Sequence, residues 1–168
     1  MCSSDLGEAV RQAREQTRQL GAAADFRVGD LTSTGLDSAS ADAVLCVDAI
    51  QFAPQQGDAY REIARILAPG GRVVLTSWEA LDRDDRRLIA RLRAVDLRAG
   101  LAAAGFRDIH VAERPGWRAR ETAMWEEAAA LDPGDDPALV SFHEEGVRSL
   151  KTLGLYRRVI GTATAPAA

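Results

Sequence analysis

The stretch from Ala41 to Trp78 constrains the fold more than any other part of this chain. Ala41-Asp42-Ala43-Val44-Leu45-Cys46-Val47 is an almost unbroken apolar run, the pattern of a strand buried on both faces by helices. After a loop at Gln51 to Gly57, the apolar residues Tyr60, Ile63, Ile66 and Leu67 recur at helical spacing between Asp58, Arg61, Glu62 and Arg65. That helix has one face suited to packing on a sheet. Pro69 disfavours helical dihedrals at Ala68, and Gly70-Gly71 can take the positive φ of a turn that ends the helix and re-aims the chain. Arg72 to Trp78 is rich in β-branched and aromatic residues, which predicts a second strand. A strand, helix and strand this closely joined predict a parallel crossover and an α/β fold.

The flanking segments extend the pattern. Gly7 to Leu20 reads as a helix with Ala9, Val10, Ala13, Thr17 and Leu20 on one side and Gly21 as its C-terminal cap. Phe26-Arg27-Val28 predicts a short strand that ends in Gly29-Asp30-Leu31, and Thr32 to Ser40 is a polar surface loop. Asp82 to Arg93 is expected to be helical. Asp96 then caps a helix over Leu97 to Ala104, Gly105 ends it, and Phe106 to Val111 forms a strand. Two helices are expected near Glu121 to Ala130 and Pro137 to Leu150, split by the breaker Asp132-Pro133-Gly134-Asp135-Asp136-Pro137. Arg157 to Ala163 reads as a last strand.

With 168 residues the chain can bury one sizeable core, so a single domain over 1–168 is expected. A net charge of −4 argues against a nucleic-acid partner. The two cysteines, Cys2 and Cys46, make neither a disulfide framework nor a zinc spacing, so no metal site is expected. No apolar run approaches a membrane span, and the start lacks the charged and apolar regions of a secretory signal, which predicts a cytoplasmic protein. Met1 to Leu6 does not read like the start of a domain and is expected to be a non-native leader.

Two quoted stretches carry a family resemblance. Ala-Asp-Ala-Val-Leu-Cys-Val-Asp-Ala-Ile-Gln-Phe followed by Tyr-Arg-Glu-Ile-Ala-Arg-Ile-Leu-Ala-Pro-Gly-Gly-Arg-Val-Val-Leu resembles the fourth strand, following helix and fifth strand of class I S-adenosylmethionine-dependent methyltransferases. Asp-Leu-Arg-Ala-Gly-Leu-Ala-Ala-Ala-Gly-Phe-Arg-Asp-Ile-His-Val is similar to the helix and sixth strand of the same family. The resemblance implies a partial Rossmann-like doubly wound sheet, mostly parallel with an antiparallel last strand, and a helical lid inserted over 115–155. A helix pair that only covers a sheet edge is the alternative for that segment.

The resemblance also implies roles for particular residues. Asp30 stands where the family accepts a hydrogen bond from the cofactor adenine, with Leu31 beside the ring; a simple turn-forming Asp is the alternative. Cys46 and Val47 would pass beside S-adenosylmethionine and Phe52 would close over it, or all three would be plain core. Gln51, Trp78, Trp117, Trp125 and His143 would face a small-molecule methyl acceptor, although for His143 a surface histidine on a helix is the better reading. Many relatives carry histidines where this chain has Asp48, Gln51 and Phe52, so Asp48 and then Glu79 remain as candidate bases. Methyl transfer from a sulfonium is a direct displacement in which a strong base is optional.

The family's glycine-rich loop and the acidic residue that ends its second strand have no counterpart before Gly7. The expected chain is thus an N-terminally truncated methyltransferase, short of a front of about 60 residues and inactive alone. A non-catalytic fragment or interaction module is the competing reading. A nicotinamide-dependent oxidoreductase would need a Gly-x-Gly-x-x-Gly turn, and the sequence has none.

Overall fold

The computed structural model describes residues 3–19, 21 and 23–167. A four-stranded sheet in the order β1-β2-β4-β3 is built from β1 (Ala41–Val47), β2 (Leu67–Ala80), β3 (Arg107–Glu113) and β4 (Tyr156–Thr164). β1 and β2 are parallel, and β4 runs antiparallel to both β2 and β3. The helices are α1 (Ser3–Gln19), α2 (Gln56–Ile66), the single turn α3 (Ala90–Arg93), α4 (Leu97–Ala103), α5 (Pro115–Ala130) and α6 (Pro137–Leu150). Leu20 and the first two residues of the expected leader lie outside the described residues.

The predicted crossover is present as β1, α2 and β2. Gly70 takes a φ of +77°. At Gly71 a Cβ would stand 2.9 Å from the Ala68 carbonyl oxygen and 3.0 Å from that of Asp42, so only glycine lets the two strands close here. The pairing slips between Ala41 and Ala43 at the same place, and β2 starts at Leu67, earlier than expected.

One face of the sheet holds the core. Val73, Leu75, Val159 and Ala163 from the strands pack with Tyr60 and Ile63 of α2 and with Leu97 and Leu101 of α4. Gly161 makes room for Leu97, whose Cδ1 would lie 3.2 Å from an added Cβ. The other face is bare along β1. Leu45 is 68% exposed and Val47 58% exposed, which corrects the expectation of a strand buried on both sides. Of β1, Ala41, Val44 and Cys46 pack against the core.

Two more predicted elements fail. Phe26-Arg27-Val28 is not a strand, because a strand needs a neighbour to share its backbone hydrogen bonds, and the described sheet ends at β1. Asp82 to Arg93 is a run of turns with only the single turn α3 at its end. The Asp82 carboxylate accepts the Asp84 backbone N–H and that of Asp85 accepts Arg87 N–H, bonds that compete with a helix. The Asp96 cap is as read, accepting Ala99 N–H at 2.9 Å. α5 begins at Pro115, six residues before the expected start, while α6 spans the expected residues.

α5 and α6 form a hairpin. Gly146 sits so close to α5 that an added Cβ would be 2.9 Å from the Ala128 Cβ, and the Trp125 and Phe142 rings meet at a tilt of 46° with centroids 5.8 Å apart. Leu88, Leu153 and Tyr156 form a second apolar cluster that joins this hairpin to Trp78. No helix among the described residues is long and apolar enough to cross a membrane.

Candidate functional site

Strand register creates the site. Trp78 of β2 pairs directly with Arg158 of β4, and both stand at the end of the sheet where β1 and β2 finish. The Arg158 guanidinium lies 4.1 Å from the Trp78 ring centroid and donates to Asp48 Oδ2 at 2.8 Å. Thr76 Oγ1 donates to Asp48 Oδ1 at 2.8 Å. Asp48 follows β1 with a positive φ of 49°, which turns its side chain off the strand. From α5, Glu121 receives the Trp78 indole N–H at 3.0 Å and stands 3.6 Å from Arg158 Nε.

Around this network lies a groove of about 380 Å³ lined by Asp48, Trp78, Trp117, Arg120, Glu121, Met124, Trp125 and Arg158. It brings together four of the residues singled out in the sequence, Asp48, Trp78, Trp117 and Trp125, and all three tryptophans of the chain. Arg120, Glu121 and Arg158 were not anticipated. Their only advance signal was helical spacing from Trp117, which puts Arg120, Glu121 and Met124 on the same stripe of α5.

The other expected residues lie elsewhere. Gln51 is fully buried, donating to the Asp48 carbonyl at 2.6 Å and accepting from Ser77 Oγ at 3.0 Å, so it braces the turn that carries Asp48. Glu79 is buried on the core face; its Oε1 accepts the Leu97 backbone N–H and its Oε2 pairs with Arg157, both at 2.9 Å. It anchors α4 and does not line the groove. His143 Nδ1–H donates to the Ala128 carbonyl at 3.2 Å and ties α6 to α5. Cys46 is a buried core residue, and burial pushes its thiol pKa up. Phe52 is exposed, with the Arg91 guanidinium 4.9 Å from its ring centroid.

A second groove, about 420 Å³, is lined by Asp25, Arg27, Gly29, Asp30, Leu31, Thr34 and Leu36. Asp30 is exposed, and its Oδ1 accepts both the Thr32 backbone N–H at 2.7 Å and the Thr32 hydroxyl at 2.6 Å. These bonds hold its carboxyl below the usual range. Oδ2 has no partner among the described residues, which suits a ligand amine. The loop is fastened by Glu62 of α2, which accepts Thr34 N–H at 2.8 Å and Thr34 hydroxyl at 2.6 Å and is paired with Arg65.

Comparison with known proteins finds the same fold in solved structures. The chain superposes on the crystal structure of the [4+2]-cyclase SpnF with a TM-score of 0.68 at 24% identity, covering 95% of this chain and 63% of that one. For Haemonchus contortus phosphoethanolamine N-methyltransferase 2, in complex with phosphomonomethylethanolamine and S-adenosylhomocysteine, the values are 0.67, 19%, 92% and 40%. For geranyl diphosphate C-methyltransferase from Streptomyces coelicolor A3(2), in complex with Mg2+, geranyl diphosphate and S-adenosylhomocysteine, they are 0.64, 15%, 97% and 61%. The chain thus spans between two fifths and just under two thirds of these structures. No curated protein sequence matches it.

The fold is that of the class I S-adenosylmethionine-dependent methyltransferases, with a mixed sheet and an antiparallel last strand. Residues 3–75 match the sequence profile of the methyltransferase domain.

Proposed function

We propose that this chain carries the acceptor side and the adenine side of an S-adenosylmethionine-dependent methyltransferase that acts on a small molecule. The observation that carries the reading is the groove at the end of the sheet, where Asp48 and three indoles meet under the α5–α6 hairpin. Ligands of open parallel sheets bind beyond the carboxyl ends of the strands. The hairpin acts as the lid of the groove, and residues 3–167 work as one domain.

The cofactor fits the residues present at its adenine end. Asp30 Oδ2 is open to accept the exocyclic amine, Leu31 flanks the ring, and Val47 and Phe52 present exposed apolar surface near the end of β1. When bound, the cofactor supplies an activated methyl group. The chain's own contributions are to hold the acceptor between the indoles, to keep water off it, and to orient it through the polar groups of the groove. Asp48 is fixed by Arg158 and Thr76, so it holds Arg158 in place at the groove more than it removes a proton. No glycine-rich turn of this sequence is available for the methionine end, and we expect the 168-residue chain alone to bind the cofactor weakly and not to turn over.

Ligand-observed NMR titration with S-adenosylhomocysteine tests the reading. Asp30→Asn keeps an acceptor for Thr32 but replaces the open oxygen by an amide NH2, which donates, and should weaken binding at least about tenfold, as for a lost hydrogen bond to a charged group. Equal affinity would return Asp30 to a turn-forming role. The exposed face of β1 favours one second reading, a non-catalytic interaction module, which gains if no adenosyl ligand binds at all.

A further inference from the structure

The groove also carries information about which acceptor it takes, and this inference rests on the reading of the groove as the acceptor site. Its charges are unequally satisfied. Asp48 and Glu121 both have partners, Thr76 and Arg158 for the first, Trp78 and Arg158 for the second. The cations are less complete. Arg120 is exposed at the groove and has no ion-pair partner among the described residues. Arg158 is 9% exposed, and its Nη1 has no hydrogen-bond partner. A buried donor without an acceptor is costly, so the site gains from a ligand that brings an oxygen.

The walls are flat and apolar. Trp117, Trp125 and Met124 offer broad surface beside these donors, while the near face of Trp78 is already occupied by Arg158. No strong base lines the groove among the described residues, since His143 is engaged with the Ala128 carbonyl and is not part of the lining, and both carboxylates are paired. An acceptor that needed its proton pulled off would find no group to take it. One that ionises by itself near neutral pH would need none.

We infer that the groove binds a weak organic acid with a flat apolar body, an aromatic carboxylic acid or an acidic phenol, with its anionic oxygen toward Arg120 and Arg158. In the transfer, a lone pair of that oxygen forms the new O–C bond. The C–S bond breaks with its electron pair going to sulfur, so the negative oxygen and positive sulfonium become a neutral ester or ether and a neutral thioether. No proton is released to the protein, which matches a site without a base.

The test needs neither cofactor nor turnover, because all three indole groups line this groove and report on it. Titrate the 15N-labelled chain with naphthalene-2-carboxylate, naphthalene-2-methanol and naphthalen-2-ylmethylammonium, and follow the indole N–H signals. The carboxylate should bind at least about tenfold tighter than the other two, the discrimination of one charge-assisted hydrogen bond. Arg120→Gln should remove that advantage while leaving the affinity for the alcohol unchanged. Raising ionic strength should weaken the carboxylate alone. Tighter binding of the ammonium, or equal binding of all three, overturns the inference, as does an Arg120→Gln protein that still prefers the carboxylate. Preference for the carboxylate without any adenosyl binding would leave the inference standing and sink the methyltransferase reading instead.

Discussion

Replacing Glu79 should unfold the protein sooner without touching the groove. This carboxylate is 3% exposed and makes two bonds of different worth. Oε1 holds the backbone N–H of Leu97, a fully buried residue in the first turn of α4, at 2.9 Å. Oε2 holds Arg157, whose side chain is 43% exposed and can turn to water. Glu79→Ala strands the buried amide, at about 1.5–3 kcal/mol for a charge-assisted bond, and leaves a small cavity. Loss of the half-exposed ion pair adds up to about 1 kcal/mol. The expected destabilisation is about 3 kcal/mol, or roughly 6–12 °C in Tm for a domain of this size. Glu79→Gln keeps an acceptor for Leu97 and loses chiefly the ion pair, so it should fall by only about 1 kcal/mol. Urea denaturation followed by circular dichroism measures both, and the indole N–H signals report whether the carboxylate probe still binds. Equal losses in the two variants, or an Ala variant within about 1 kcal/mol of the parent, would refute the anchoring role. A Gln variant of parental stability that no longer binds the probe would return Glu79 to the functional site.

Two further outcomes can be checked with the same assays. Gly100→Ala raises helix propensity by about 1 kcal/mol, yet its Cβ would fall 2.2 Å from Tyr60 Cε2, so a net loss of about 1–2 kcal/mol from overpacking is expected in urea. Glu62 is held down to about 2, chiefly by its bonds to Arg65 and then by Thr34. A depressed carboxyl contributes stability above its ordinary range and loses it as the pH falls toward 2. The parent should therefore lose stability across that interval, and Glu62→Gln, with no carboxyl to protonate, should show a shallower acid loss. Because Glu62 fastens Thr34, the same variant should broaden the NMR signals of the loop around Asp30.

The core of this protein is legible in the residues themselves. The apolar run of β1, the helical spacing of α2 and the Pro-Gly-Gly turn before β2 are local signals, each set by the dihedrals and burial of a few neighbours. The Asp96 cap and the breaker at 132–137 are equally local. Where local signals compete, the reading failed. Asp82 and Asp85 sit in a stretch with helical spacing, but their side chains capture nearby backbone amides and make turns. Phe26-Arg27-Val28 has strand composition, but a strand exists only beside another strand, and none lies next to it among the described residues. The sequence also named Asp48 and the three tryptophans as members of the site, because strand ends and an apolar insertion can be read along the chain. It could not name Arg158. That residue reaches Asp48 across 110 positions, through the register that sets β4 against β2 and opposes it to Trp78. Long-range register depends on how the whole sheet packs, so the charge pattern of the groove was decided only by the tertiary structure.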